Sequence, residues 1–190
     1  MTSAPNTELK IIEAAIACIE RYGLKNMTVR RIAQEAGVNV AAINYHFRSK
    51  EQMMQRVLEV TLENAFDWSH FESSETMPPK PRLSAILDHM VMGTQLFPET
   101  TRMHFSSPRM DSNSLSYQAF IEFLGKVYDD LVARGAAPGE ELRLALIQAV
   151  TATILGIGLH ADICQGFIEK DLRDPEVRRR YIERVVDKVL

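Results

Sequence analysis

Asn44 carries an amide that matches the N6 and N7 edge of adenine, the pairing by which asparagine reads a base in the major groove. It sits in the run Asn39-Val40-Ala41-Ala42-Ile43-Asn44-Tyr45-His46-Phe47. Helical spacing turns Val40, Ala41, Asn44 and Tyr45 to one side of that run, with His46 beside them. Ala41 and Ala42 are small enough to let a helix sink into the groove. Such a helix must be held by a second one. Thr28 to about Glu35 supplies it, followed by Ala36-Gly37-Val38. The glycine turn lets the two helices cross steeply, which is helix-turn-helix geometry. Thr28 and Asn39 can each cap a helix start by accepting an otherwise unpaired backbone N–H. Ile32, Ala36, Val38, Ile43 and Phe47 are the apolar positions expected to hold the pair together. The motif predicts a head that recognises DNA sequence. A helix pair with a glycine turn also serves in purely structural bundles, where Tyr45 and His46 would be half-buried and Thr28 only a cap.

The same residues resemble the TetR family of bacterial regulators over roughly residues 7 to 56. Thr28-Val29-Arg30-Arg31-Ile32-Ala33 is similar to that family's second helix, and Ala36-Gly37-Val38 to its turn. Ile43-Asn44-Tyr45-His46-Phe47-Arg48-Ser49-Lys50-Glu51 is similar to its third helix and the start of its fourth. The resemblance implies phosphate contacts from Thr28, Tyr45, His46 and Lys50, and base or near-base contacts from Arg30, Val40, Ala41 and Asn44. Asn39 joins this expected DNA-facing set. The family usually has tyrosine where Asn44 stands, so a backbone contact there is exchanged for a base contact.

Composition fits a globular helical protein. The chain has 190 residues, 46% apolar and 25% charged, with a net charge of −3. That length suits one or two compact units. The charge is unevenly placed: residues 1–56 carry +3 and residues 57–190 carry −6. A basic head on an acidic body puts the phosphate-attracting field where the motif lies. Cys18 and Cys164 lie far apart in apolar helical patterns and read as packed thiols in a reducing compartment. Met1 to Asn6 is short and polar, so no signal peptide is expected. Leu144 to Leu159, the most apolar stretch, is interrupted by Gln148, Thr151 and Thr153, and no membrane span is expected. A cytoplasmic location follows.

The fold class expected is all-α: an N-terminal three-helix helix-turn-helix domain (1–50) joined to a C-terminal helical domain (51–190) for effector binding and dimerisation. The first helix should run from Thr7 to Arg21 or Tyr22, with Leu9, Ile12, Ile16 and Ile19 on its inner face. Ser49 and Gln52 form a capping-box pair for a fourth helix over Lys50 to Ser69. Met77-Pro78-Pro79-Lys80-Pro81 makes 72–82 a loop. Further helices are expected near 82–96, 99–105, 113–134, 139–167 and 175–190.

Two features of the body point to function. Phe66, Met90, Phe97, Met103, His104, Phe120 and Phe123 are expected to line a pocket for a small, mostly apolar effector, together with soft or aromatic neighbours such as Trp68, Phe71 and Met110. Methionine adapts its shape, and aromatics give large contact areas. A plain hydrophobic core is the competing reading, and the family resemblance favours the pocket. The second feature is C-terminal. Leu142, Leu146, Ala149, Thr153, Ile157, His160 and Cys164 recur at threes and fours, with Gly156 in the same run, and Tyr181 and Val185 lie on a last helical stripe. Gly156 and Gly158 within one helix suggest close approach of backbones. Two such helices from each of two copies would form a four-helix homodimer interface, as the resemblance also implies; packing within the chain is the alternative. Arg178-Arg179-Arg180 reads as a solvated face.

Enzymatic motifs are lacking. The five histidines are scattered, and His160 with Cys164 one turn away does not complete a zinc site. No phosphate-binding glycine loop, GxSxG elbow or HExxH motif occurs. No metal and no cofactor are expected. The function implied is a ligand-responsive transcriptional regulator, a repressor released from a pseudo-palindromic operator by its effector. The alternative is a helical scaffold or nucleoid-type protein that binds DNA or protein without sequence choice.

Overall fold

A computed structural model describes residues 4–105 and 114–190, with side chains at 7–105, 114–163 and 165–190. Helices account for its regular structure, and no strand occurs among the described residues. The helices are α1 (Ala4–Tyr22), α2 (Val29–Ala36), α3 (Val40–His46), α4 (Lys50–Ala65), α5 (Pro79–Leu96), α6 (Pro98–Phe105), α7 (Leu115–Ala133), α8 (Glu140–Thr151), α9 (Ala161–Ile168) and α10 (Pro175–Val189). Short 3-10 turns occupy Leu24–Asn26 and Trp68–Ser74, and a π-helical segment covers Ala152–Leu159.

Two compact units result. The first joins Met1–Asn64 to Glu99–Ser116, and the second joins Ala65–Pro98 to Tyr117–Leu190. The division expected at residues 50 and 51 therefore falls elsewhere: most of α4 belongs with the head, and so does α6, which returns to it from later in the chain. Periodicity shows that α6 is a helix but not which neighbours it packs on.

The first unit is built around Ile11, Ile12, Ala15, Cys18, Ile19, Met27, Ile32, Ile43, Phe47, Met53 and Val57, all buried. Met103 of α6 packs against this cluster. Leu9, expected on the inner face of α1, is exposed, and Ile11 and Ala15 take that face instead. Cys18 is a buried free thiol, which burial pushes above its usual value.

The second unit buries Leu83, Ile86, Leu87 and Val91 of α5 with Val127 and Leu131 of α7, Leu146 and Val150 of α8, and Ile182 and Val186 of α10. Helices in both units depart from the expected spans where local chemistry intervenes. α4 ends at Ala65 rather than Ser69, because Asp67 accepts from the Ser69 N–H and starts a new turn. α5 begins at Pro79, not 82: prolines in a first turn lack an N–H that would have gone unbonded there. The helix expected over 139–167 is not continuous. It widens into the π segment and breaks at His160 (φ −124°, ψ 34°) before α9. Glu140–Leu159 is apolar and long enough to cross a membrane by length and composition, contrary to the sequence expectation. Its Leu142, Leu146, Ala149, Val150, Ile154 and Ile157 are nevertheless core residues of this unit.

Candidate nucleic-acid interface

The α2–α3 pair is set by three backbone devices. Thr28 Oγ1 accepts from the Arg31 N–H at 3.3 Å, and Asn39 Oδ1 accepts from the Ala42 N–H at 2.8 Å. Between them Gly37 takes the left-handed conformation (φ 66°, ψ 30°) that glycine adopts without a Cβ penalty. Ile32, Ile43 and Phe47 anchor the pair on the head core. Ser49 Oγ then accepts from the Gln52 N–H and caps α4, as expected.

What remains faces outward. Thr28, Arg30, Asn39, Val40, Ala41, Asn44, Tyr45 and Lys50 are all exposed, and His46 is half-buried. Tyr45 is 85% exposed, with its ring edge-on to His46 at 5.4 Å. A phenol so exposed contributes little to the fold. The two adjacent arginines of α2 diverge, as a 100° helical step requires. Arg30 is turned outward, whereas the Arg31 guanidinium covers the Tyr22 ring at 4.6 Å and donates to the Asn26 carbonyl at 2.6 Å. Arg31 thereby pins the Leu24–Asn26 turn, a role its neighbour's spacing does not suggest. Lys50 also has a structural bond: its ammonium donates to the Met27 carbonyl at 3.1 Å, joining the start of α4 to the approach of α2. An ammonium has three donors, so this bond leaves others for phosphate.

In the second unit Phe66 stacks on Phe123 at 4.8 Å and lies 6.4 Å from Phe120. Trp68 and Phe71 each approach Phe123 at 6.2 Å. Phe123 and Met90 are buried, while Phe97 is about half exposed. The expected effector set is thus divided. Met103 and His104 lie in the head unit, Met103 against its core. Met110 lies outside the described residues.

Beneath the aromatic cluster sits a polar group that no spacing revealed. Arg82, 1% exposed, donates from Nε to Asp130 at 3.0 Å, and from Nη1 to Ser74 Oγ at 2.5 Å and to the Phe71 carbonyl. Arg134 donates to the same carboxylate at 2.8 and 2.9 Å, and to the carbonyls of Glu75 and Met77. Burial pushes the Asp130 carboxyl up, but hydrogen bonds from Arg134 and Arg82 outweigh it and hold the group below the usual range. One carboxylate and two arginines therefore fasten the 68–77 connection onto α5 and α7.

The expected dimer residues are also divided. Leu146, Thr153 and Ile157 are buried in their own protomer and have no face left for a second copy. Gly158, not Gly156, is the close approach, and it is internal: a Cβ there would lie 2.4 Å from Thr94 Cγ2 of α5, whereas one on Gly156 meets nothing within 4 Å. His160 is exposed, Tyr181 and Val185 are half-buried, and the Cys164 side chain lies outside those described. Outward instead stand Leu144 and Ile147 of α8, Leu155 of the π segment, and Ile163 and Phe167 of α9. Arg178 is not solvated. It is buried, donating to Asp88 at 2.7 Å and to Gln95 Oε1 at 3.3 Å. No cluster of three or more His, Cys, Asp or Glu able to hold a metal occurs among the described residues.

Residues 11–57, the helices just described, match the model of the bacterial regulatory proteins of the tetR family. That head is a TetR-family helix-turn-helix domain. The HTH-type transcriptional regulator BetI of Agrobacterium fabrum is 30% identical over 90 residues, which is 47% of this chain and 44% of that protein. The chain thus matches less than half the length of such curated relatives, and the match lies with named regulators rather than enzymes. Solved structures extend the likeness of fold to nearly the whole chain. A tetR-family regulator from Streptomyces coelicolor superposes with a TM-score of 0.73 at 13% identity, covering 99% of this chain and 80% of that one. FadR from Bacillus subtilis, solved in complex with stearoyl-CoA, gives 0.67 at 18% identity over 96% and 98%. The head therefore matches the tetR-family model, and the helical body shares the fold of these solved structures.

Proposed function

We propose that this chain is a ligand-responsive transcriptional regulator of the TetR family that binds a pseudo-palindromic operator as a homodimer and is released by a small, mostly apolar effector. The observation that carries the reading is the outward face of α3. Val40, Ala41, Asn44 and Tyr45 are exposed together, while Ile43 and Phe47 hold the helix from behind. Within that face Asn44 reads a base, Arg30, Val40 and Ala41 lie at or near bases, and Thr28, Tyr45, His46 and Lys50 meet phosphate. The basic balance of residues 1–56 supports the same assignment.

The exposure of Leu144, Ile147, Leu155, Ile163 and Phe167 supports a homodimer through this segment and α10. Several large exposed apolar side chains on one stretch of chain mark an interaction surface more often than solvent. Two copies are also what recognition needs, since one short helix is a weak reader and paired heads meet successive major grooves ~34–36 Å apart. The aromatic cluster of Phe66, Trp68, Phe120 and Phe123 supports an apolar effector, and the related fold of FadR was solved with an acyl-CoA. Such a regulator acts on the chromosome, in the cytoplasm.

The test is selection of duplexes from a random pool, followed by competition. A sequence-specific regulator should prefer its selected duplex over random DNA by ~10³ or more. Enrichment of no sequence, with binding that depends on salt alone, would support the non-specific scaffold and overturn this reading.

A further inference from the structure

The chain passes between its two units three times, at residues 64/65, 98/99 and 116/117. Each passage is tied by a side chain on the head side. Next to the second, Glu20 of α1 caps the start of α6. Its carboxylate accepts from the Thr100 N–H at 2.7 Å, the Thr100 hydroxyl at 2.6 Å and the Glu99 N–H at 3.1 Å. A carboxylate at a helix N-terminus satisfies unbonded N–H groups and opposes the positive end of the helix dipole. One turn further on, His104 bonds to the other two passages. Its Nε2 lies 2.9 Å from Thr61 Oγ1, in the last part of α4 that belongs to the head, and its Nδ1 lies 3.0 Å from Ser116 Oγ.

Thr61 Oγ1 also lies 2.9 and 3.0 Å from the carbonyls of Val57 and Leu58, which can only accept. The single hydroxyl proton goes to them, so Thr61 offers His104 a lone pair and Nε2 carries the ring proton. Nδ1 is then an acceptor, and Ser116 donates to it. Burial favours the neutral ring that this pattern requires. Both nitrogens are thus occupied, which argues against the effector contact expected of His104.

We propose that His104 is a positioning residue, the hub through which α4, α6 and the start of α7 hold one another at the margin of the DNA-binding unit, with Glu20 fixing the far end of α6 to α1. A displacement arriving along any of the three passages is then felt by the other two and by α1. The hub stands on the geometry alone; its effect on DNA recognition rests on the proposed function.

A double-mutant cycle in the full-length protein tests the hub. Thr61→Val and Ser116→Ala each remove one partner of the ring, and loss of one such bond raises the unfolding constant by roughly 2- to 12-fold. Because the two bonds share one ring, the double variant should lose measurably less than the product of the single losses. Thr61→Ser, which keeps the hydroxyl, should restore the coupling. Imidazole 15N spectra of the wild type should show the Nε2–H tautomer, and Ser116→Ala should speed amide exchange at residues 58–62, on the far side of the ring. Strict additivity, or an Nδ1–H tautomer, overturns the hub. With a selected duplex bound, amides at 58–62, 99–104 and 114–117 should gain protection in the wild type. If DNA binds and these amides do not change, the positioning role fails. If no duplex is selected, the functional reading fails and the DNA-free cycle still decides the hub.

Discussion

Gly158→Ala offers a measurable consequence of one close contact. The added Cβ would sit 2.4 Å from Thr94 Cγ2 and 2.7 Å from Thr94 Cβ. Ordinary carbon contacts are ~3.5–4.0 Å, so the π segment and α5 must part by about 1 Å. Neither side yields easily. Thr94 is buried and its hydroxyl donates to the Met90 carbonyl at 2.9 Å, while neighbouring Ile157 and Val91 are fully buried. Overpacking of this kind costs ~1–3 kcal/mol. A methyl in a helical backbone returns up to ~1 kcal/mol relative to glycine. The net expectation is a loss of about 1–2 kcal/mol, or a fall in Tm of ~2–8 °C for a chain of this size. Thermal melts at one fixed protein concentration measure it, since self-association shifts Tm. Gly158→Ala combined with Thr94→Ser, which deletes the nearest methyl and keeps the hydroxyl, should recover part of the loss. Gly156→Ala has room for its methyl within the protomer and should not melt below the wild type. A Gly158→Ala protein as stable as the wild type would refute the argument.

Asn44→Ala should relax preference at one position per half-site, by ~1–3 kcal/mol of discrimination, in binding titrations across single-base operator variants; a uniform loss would assign Asn44 to the backbone. Lys50→Ala should weaken binding to all sequences alike and lower the slope of log affinity against log salt by about one per head, and an unchanged slope would leave Lys50 only its bond to Met27. Ile147→Glu and Phe167→Glu, both at exposed apolar positions, should give monomers in sedimentation, and dimers that persist would place the interface elsewhere. Burial holds His104 at about 4 rather than 6.5, so the unfolded chain binds the extra proton first. Its contribution is therefore present above about pH 6.5 and lost as pH falls towards 4. The pH dependence of urea unfolding should be shallower over that window in His104→Leu than in the wild type, and equal slopes would count against a buried neutral ring.

The DNA-binding head was legible in the residues because its determinants are local. Thr28 and Asn39 cap helices three residues away, Gly37 takes a conformation that glycine tolerates, and a 3.6-residue period separates Ile43 and Phe47 from Asn44 and Tyr45. Each of these is decided within one or two turns of chain. The same locality let Pro98 and Pro175 mark helix starts, whereas the prolines near 80, which read as a loop, open α5. What the sequence left open is what depends on partners far along the chain. Gly156 and Gly158 look alike to periodicity, yet only Gly158 faces Thr94. Leu146 and Leu144 both fit an apolar pattern, but the packing of the body buries one and exposes the other, so periodicity alone does not tell which is free to meet a partner. Arg178 reads as one of three surface arginines until Asp88 and Gln95, about 90 and 83 positions away, are placed beside it. His104 reads as an effector contact for the same reason: a histidine among apolar residues declares neither of its hydrogen-bond partners, and Thr61 and Ser116 are supplied only when α6 folds back onto the head.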